Sequence, residues 1–515
     1  MAAANSPGRP ENALSRAAIL ALAEGAARNP LVATRRHWFV PCCSSLDSAS
    51  DTLYARRVTA TQTTEPNPES EGVLLPPGLR HAYFFVAFNA LSFQVVLSSP
   101  MILFAKSLDA TATVLGIVSG MMPLMVVFQI PATSHIARYG YRRFVLAGWG
   151  IRVLFIFAMA LVPLSGFFLS KSTQLALLLL LLFGFNLSRG ISSCGWLPWI
   201  TSLIPPVVRG KYLARESGFI NAASLVAFFL SGACLGNQPG PWQFSLLFAF
   251  SATMGAISLT FLKQIPDVPM SESGPSSRQP VPWLAISRFP PFRKLLRFNV
   301  AWSLAYGGLN AFAVAFLKTE VGMSEGTILW VGTTAFLGGL GSLWLFGRRL
   351  DHLGSRPVVT FALLGWLWIL AGWFLLSAKV IEPRFPIIMT LQFLMGLGAA
   401  SLGMANTRLA MATIPPMGRT HFFALFSVVG NLTLGLAPIL WGLLIDALRP
   451  LHWVWHGMEW NRFSVFFLAV SLAMLIALGC CRRLDEPAAV GMEALLRDVL
   501  IRSPQRFWLR FWPRS

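Results

Sequence analysis

Between residues 81 and 482 the sequence falls repeatedly into apolar runs of roughly 20 residues that are nearly free of charge. Coiled as a helix at about 1.5 Å per residue, a run of that length crosses a hydrocarbon layer of about 30 Å. Hydrocarbon offers no partner to an exposed amide, so each run must satisfy its backbone groups internally, as a helix does. The runs read as spans over residues 81–105, 113–134, 144–167, 174–203, 217–236, 242–262, 298–318, 326–346, 357–378, 385–413, 421–445 and 462–482. The expected class is an all-α membrane protein of about twelve transmembrane helices. Only 12% of the residues are charged, about half of what a water-facing surface requires.

The net charge of +20 raises the question of nucleic acid. The basic residues argue against it. They gather in short loops on one side of the spans, at Arg80, Arg138, Arg142, Arg143, Arg209, Lys211 and Arg215. The loops on the other side hold fewer, among them Lys106, Lys171 and Lys318. That asymmetry is the signal by which cytoplasmic loops are fixed, and it places both termini in the cytoplasm.

Outside the spans the chain divides simply. Residues 1–78 lack a long apolar run and read as a disordered N-terminal extension, with a faint organelle-targeting character in the first 40. Two bundles of six helices, 79–262 and 298–483, flank a cytoplasmic linker at 263–297. The linker's second part, WLAISRFPPFRKLLRF, mixes apolar and basic residues as a segment lying on the membrane surface does. A basic tail, 484–515, follows. Of the six cysteines, Cys480 and Cys481 fall where the last span leaves the bilayer, and none has metal-site spacing. No metal or cofactor is expected.

The halves repeat one another at an offset of about 210 residues. IPPVVRGKYLARESGFIN (204–221) aligns with IPPMGRTHFFALFSVVGN (414–431), bringing Arg209 onto Arg419 and Asn221 onto Asn431. Phe104-Ala-Lys106 aligns with Phe316-Leu-Lys318, and Gly140 and Arg142 with Gly354 and Arg356. Such a repeat implies two pseudo-symmetric six-helix bundles with a substrate site between them.

The motif Gly347-x-x-x-Asp351-x-x-Gly354-x-Arg356 resembles the signature loop of the major facilitator superfamily, which follows the second span and recurs after the eighth. The stretches 289–312 and 196–212 resemble a bacterial branch of that superfamily whose substrates are largely unassigned. The resemblance implies a secondary transporter working by alternating access, in a bacterial inner membrane. It implies a gating role for Arg138, Gly140, Arg142, Gly347, Asp351, Gly354 and Arg356. The first copy departs from the pattern: Ala137 stands where the family has an acidic residue, which puts that half of the latch in doubt and leaves Asp351 with Arg356 to carry more of it.

In this family spans 1, 4, 7 and 10 line the cavity. Their mid-depth polar residues are Asn89, Gln94, Asn186, Arg189, Tyr306, Asn310, Asn406 and Arg408, and polar groups at such depth should face an interior or a wet cleft. Arg189 is suited to a carboxylate or phosphate through its forked donors, or to a snorkelling structural role. Arg152, in the third span, reads as structural. No Asp or Glu falls at mid-depth, which disfavours a typical proton symporter and cationic-drug export. The substrate expected is a small solute, an organic anion or polar metabolite, carried by a monomer. A membrane-bound enzyme lacks sequence support, with no HExxH, P-loop or GxSxG motif. A receptor or assembly factor on a transporter scaffold is the other alternative, kept open by Ala137.

Overall fold

The computed structural model describes residues 79–204, 209–267, 283–346, 355–414 and 419–484, all within one compact unit, Glu69–Ser515. Among them are twelve helices long and apolar enough to cross a membrane. They run Arg80–Ser107, Ala112–Ala132, Tyr141–Phe167, Lys171–Ser193, Arg215–Leu235 and Pro241–Leu262, then Pro290–Thr319, Glu325–Leu345, Ser355–Ser377, Phe385–Thr413, Phe422–Ala447 and Arg462–Arg482. We number them spans 1 to 12. The N-terminal extension and the basic tail lie outside the described residues, as do 268–282 of the linker. A short helix, Trp283–Arg288, ends the linker. The basic stretch after it is no separate surface segment. Pro290 and Pro291 open a helix that continues into span 7, since proline's missing amide costs nothing in a first turn.

The pairing of spans is the same in both halves. Spans 1 and 6, 3 and 6, and 3 and 4 pack together; so do 7 and 12, 9 and 12, and 9 and 10. Equivalent residues make equivalent contacts. Phe104 of span 1 meets Phe244 and Phe248 of span 6, with ring centroids 5.0 and 5.3 Å apart, while Phe316 of span 7 meets Phe463 and Phe467 of span 12 at 5.5 and 6.0 Å. Gly190 of span 4 lies against the Met125 carbonyl of span 2, and Gly396 of span 10 against the Ala335 carbonyl of span 8. Small residues at crossings let helix backbones approach closely where lipid supplies no hydrophobic drive for association.

The halves meet along two seams, span 2 with span 11 and span 5 with span 8. Both lie toward the side of the bundle away from Arg80 and Arg482, here called the far side; the opposite is the termini side. In the first seam Gly116 abuts the Pro438 carbonyl, Gly120 the Gly435 carbonyl and Gly442 the Ala112 carbonyl. In the second, the Gly326 amide donates to the Gly236 carbonyl (2.8 Å), and Phe229 meets Trp330 at 4.6 Å. The far-side segments of spans 1 and 7 also pack together.

A carboxylate closes the first seam. Asp446 of span 11 accepts from the Ala112 amide (3.1 Å), the Thr113 amide (2.7 Å) and the Thr113 hydroxyl (2.7 Å), capping the N-terminus of span 2 from the other half. A helix start leaves amides unpaired and carries partial positive charge, so an anion is well placed there. Asp446→Asn keeps the shape and removes the charge. It is expected to weaken far-side closure by ~1 kcal/mol, a shift of about fivefold toward the far-side-open state. Alkylation from the far side of a cysteine replacing Val118, in a background stripped of native cysteines, should speed up accordingly. An unchanged rate would remove Asp446 from the seal.

Between spans 11 and 12 stands an element absent from the sequence reading, an antiparallel hairpin of β1 (His452–Trp455) and β2 (Met458–Asn461). Its turn residues His456 and Gly457 have φ of 47° and 76°, the left-handed geometry that a two-residue hairpin turn requires.

Candidate transport site

Span 1 and span 7 are each broken at mid-depth, at equivalent positions. In span 1 the helix Arg80–Leu97 ends at Ser98, whose extended backbone interrupts it before Ser99–Ser107 resumes. Pro100 follows the break as an opening residue of the second helix. In span 7 the helix Pro290–Tyr306 ends at Gly307, and Leu309–Thr319 resumes after Gly308. Gly308 has φ +81°, and a Cβ there would press on Pro438, so the position admits little but glycine. Interrupted membrane helices at matching places in two halves mark where backbone turns toward a cleft rather than toward lipid.

A cavity of about 440 Å³ sits at these breaks, lined by Leu97, Ser98, Met122 and Pro123 of the first half and by Tyr306–Gly308, Asn310, Asn431 and Pro438 of the second. A second, of about 330 Å³, shares Tyr306, Asn431 and Leu434 with it and extends along spans 7, 10 and 11 past Asn299, Trp302, Asn406 and Ser427. None of the described residues lining either cavity carries a full charge at neutral pH. Polarity comes from carboxamides and hydroxyls. Asn406 donates to the Asn299 carboxamide oxygen (3.3 Å), and its own carboxamide oxygen is buried with no partner among the described residues. Asn431 donates to the Ser427 carbonyl (2.9 Å). One wall is aromatic: Trp302 stacks on Tyr306 (4.9 Å, 15° between planes), and Trp366 meets both edge-on at 6.0 and 5.8 Å. Such a lining suits a small polar solute with a flat or ring-like part, because carboxamides offer both donors and acceptors and an aromatic face accepts planar groups.

The structure scatters the eight residues expected from mid-depth polarity. Tyr306, Asn310 and Asn406 line the cavities. Gln94 instead joins span 1 to span 5 through the Ser224 hydroxyl (2.7 Å). Asn89 accepts a hydrogen bond from the Arg152 guanidinium. Asn186 is buried and donates to Leu182 of its own helix (2.9 Å). Arg189 and Arg408 are half-buried and line neither cavity. Other cavity residues escaped the sequence reading, among them Asn299, Trp302, Asn431 and Ser98. Asn299 and Trp302 stood at a span edge placed eight residues too late, Asn431 was read only as a landmark of the repeat, and Ser98 carried no mark beyond the proline two residues on.

The expected gating residues divide likewise. Gly347, Asp351 and Gly354 lie outside the described residues, as does the Arg138 side chain. Gly140 turns the chain from span 2 to span 3 with φ +77°. Arg142 donates to the Lys263 carbonyl at the end of span 6, and Arg356 to the Arg482 carbonyl at the end of span 12 (2.8 Å). Each arginine thus meets unpaired carbonyls at a helix C-terminus, where a cation is favoured, and both bonds stay within one half.

The described helices form a duplicated twelve-helix bundle, closed on one side around a central polar cavity. The comparisons with known proteins agree. A model of the Major Facilitator Superfamily matches residues 82–317 and 303–512. This chain therefore belongs to the Major Facilitator Superfamily. Solved structures share the fold at low identity. A D-xylose-proton symporter superposes with a TM-score of 0.63 at 12% identity, covering 80% of this chain and 98% of that one. The nucleoside transporter NupG gives 0.58 at 11%, covering 79% and 98%. Among curated proteins, Autophagy-related protein 22-2 of Aspergillus niger is 25% identical over 292 residues, 49% of this chain and 46% of that protein. Its namesake in Neosartorya fischeri is 24% identical over 291 residues, 49% and 45%. The chain thus spans about half the length of the curated relatives it matches. These relatives are fungal, and they give no support to the bacterial branch or the bacterial inner membrane expected from the resemblance.

Proposed function

We propose that this protein carries a small polar solute across its membrane by alternating access, holding it at the cavity where spans 1 and 7 break. That pair of breaks is the observation that carries the reading. The far-side seams are closed, and the packing between halves runs through them. With the termini in the cytoplasm, as the basic loops indicate, the structure is the inward-facing state. Rocking the halves would part the seams and present the same cavity outward. Among the described residues no carboxylate or histidine lines the cavity, so none of them is placed to exchange a proton with the solute near neutral pH. This favours facilitated diffusion or exchange over proton symport. The working unit is one chain, since both halves of the cavity are supplied in cis.

Asn406 and Asn299 provide the test. Asn406→Leu conserves volume and leaves Asn299 without its partner. Losing a buried hydrogen bond to solute costs about 1–3 kcal/mol, so the KM for uptake into proteoliposomes should rise about tenfold or more. The thermal stability of the purified variant should change little. A transporter with unaltered kinetics after this change, and after Asn299→Leu, would place the solute elsewhere.

A further inference from the structure

The first half holds two arginines at membrane depth, and neither forms an ion pair with a described acid. Arg152 of span 3 is 2% exposed. One of its donors reaches the Asn89 carboxamide oxygen of span 1. Its Nε is buried with no partner among the described residues. The Trp149 and Phe185 rings lie 5.2 and 5.8 Å from its central carbon. Arg189 stands one turn beyond Phe185 on the same face of span 4, the face that meets Arg152. The ion pairs between described residues lie elsewhere, near the far-side ends of the spans: Asp109 with Lys171, Glu325 with Lys318, Glu320 with Arg462, Glu459 with Lys379 and Glu382 with Arg384. On span 4 the Asn186 carboxamide oxygen is also buried with no partner among the described residues.

Two like charges in a medium of low dielectric repel each other and are poorly solvated. Membrane proteins keep such groups where something neutralises them. Here no described carboxylate pairs with either arginine, and Glu216, the half-buried acid of span 5, stands in no ion pair with them. Arg152 is sealed, whereas Asn89 and Arg189 are partly exposed. Asn89 lies nine residues before the Ser98 break, about 13 Å along the helix toward the termini side. That is the side away from the two closed seams.

We propose that Arg189, backed by Arg152 and Asn89, forms an oxyanion-binding site on the termini-side approach to the cavity, and that the transported solute carries a carboxylate or phosphate recognised there. The idea rests on the transport reading and narrows it to anionic solutes. Guanidinium suits this chemistry because its planar fork matches two oxygens of one acid group. Arg189 is the group that meets the anion. Arg152 is a positioning residue, holding Asn89 and adding field.

The test is equilibrium binding by purified full-length protein in detergent. Melting temperature is followed against sodium chloride, phosphate, acetate and succinate at constant ionic strength. One oxyanion should raise the melting temperature saturably where chloride does not, because a ligand of the folded state stabilises it. Phosphate against the carboxylates separates the two sources. Arg189→Gln should weaken that effect at least tenfold in concentration, and Arg189→Lys should do so less, since it keeps charge and loses the fork. The anion-free melting temperature of Arg189→Gln should equal or exceed that of the wild type, because an unbalanced charge has gone. Should Arg152→Gln fail to fold, the Arg189 variants decide alone. A wild-type protein indifferent to every oxyanion overturns the site, and so does an Arg189→Gln variant with an undiminished response. Uptake of an uncharged solute by that same protein would overturn the anionic narrowing and leave alternating access standing.

Discussion

A Gly116→Val variant is expected to remain folded and to lose transport by about two orders of magnitude. Gly116 lies in the seam between spans 2 and 11, where a new Cβ would meet the Pro438 carbonyl and the Ile439 backbone. A side-chain clash can be relieved by a rotamer change, but a clash with backbone requires the helices to part. Overpacking of this kind costs ~3 kcal/mol, roughly a hundredfold in a two-state balance. The cost falls only on the far-side-closed state, since the seam joins two halves that separate in the other. The variant should therefore accumulate facing the far side. Uptake by proteoliposomes would fall, and alkylation of a cysteine at Val118 from the far side would rise. Gly120→Val, against the Gly435 carbonyl in the same seam, should behave alike. Normal uptake with unchanged labelling would show that the seam does not move.

Gly396→Val should fail in a different way. Gly396 presses on the Ala335 carbonyl inside the second half, where spans 8 and 10 pack along their length. A rocking cycle moves the halves as units and offers no state in which this contact opens. The same ~3 kcal/mol then falls on the folded bundle itself. Yield of monodisperse protein after detergent extraction should drop severely, with the surviving fraction melting several degrees lower. Gly338, against the Phe393 carbonyl at the same crossing, is the reciprocal site. Wild-type yield and melting temperature for Gly396→Val would refute the crossing. The two valines together separate what belongs to the cycle from what belongs to the fold.

The spans were legible in the sequence because apolar length is a direct consequence of bilayer thickness. The duplication was legible too, since loop landmarks such as Arg209 and Arg419 survive where the Leu-rich helices blur. The cavity was only partly so. A polar residue at mid-depth shows that something must satisfy it, and Gln94 is satisfied by Ser224 of span 5 rather than by a solute. Which way a side chain faces depends on helix rotation, and a membrane helix with a weak polar face conceals it. The breaks did leave a trace, Ser98-Ser99-Pro100 in span 1 and Gly307-Gly308 in span 7 at the repeat's own offset. Proline and glycine are so common in membrane helices that neither stands out alone. Arg152 was read as structural because its partner could not be seen. The tertiary fold shows that one donor is spent on Asn89 and that no acid among the described residues pairs with it.

The bonds from Arg142 to Lys263 and from Arg356 to Arg482 tie the opening of the third helix in each half to the finish of its last one. Two mirrored rivets of this sort stiffen each half, so that a push felt at one end is delivered undiminished to the other. A lever transmits motion only if its arm does not bend. The repeated arginine would then matter to the stroke through a bond that lies inside its own half.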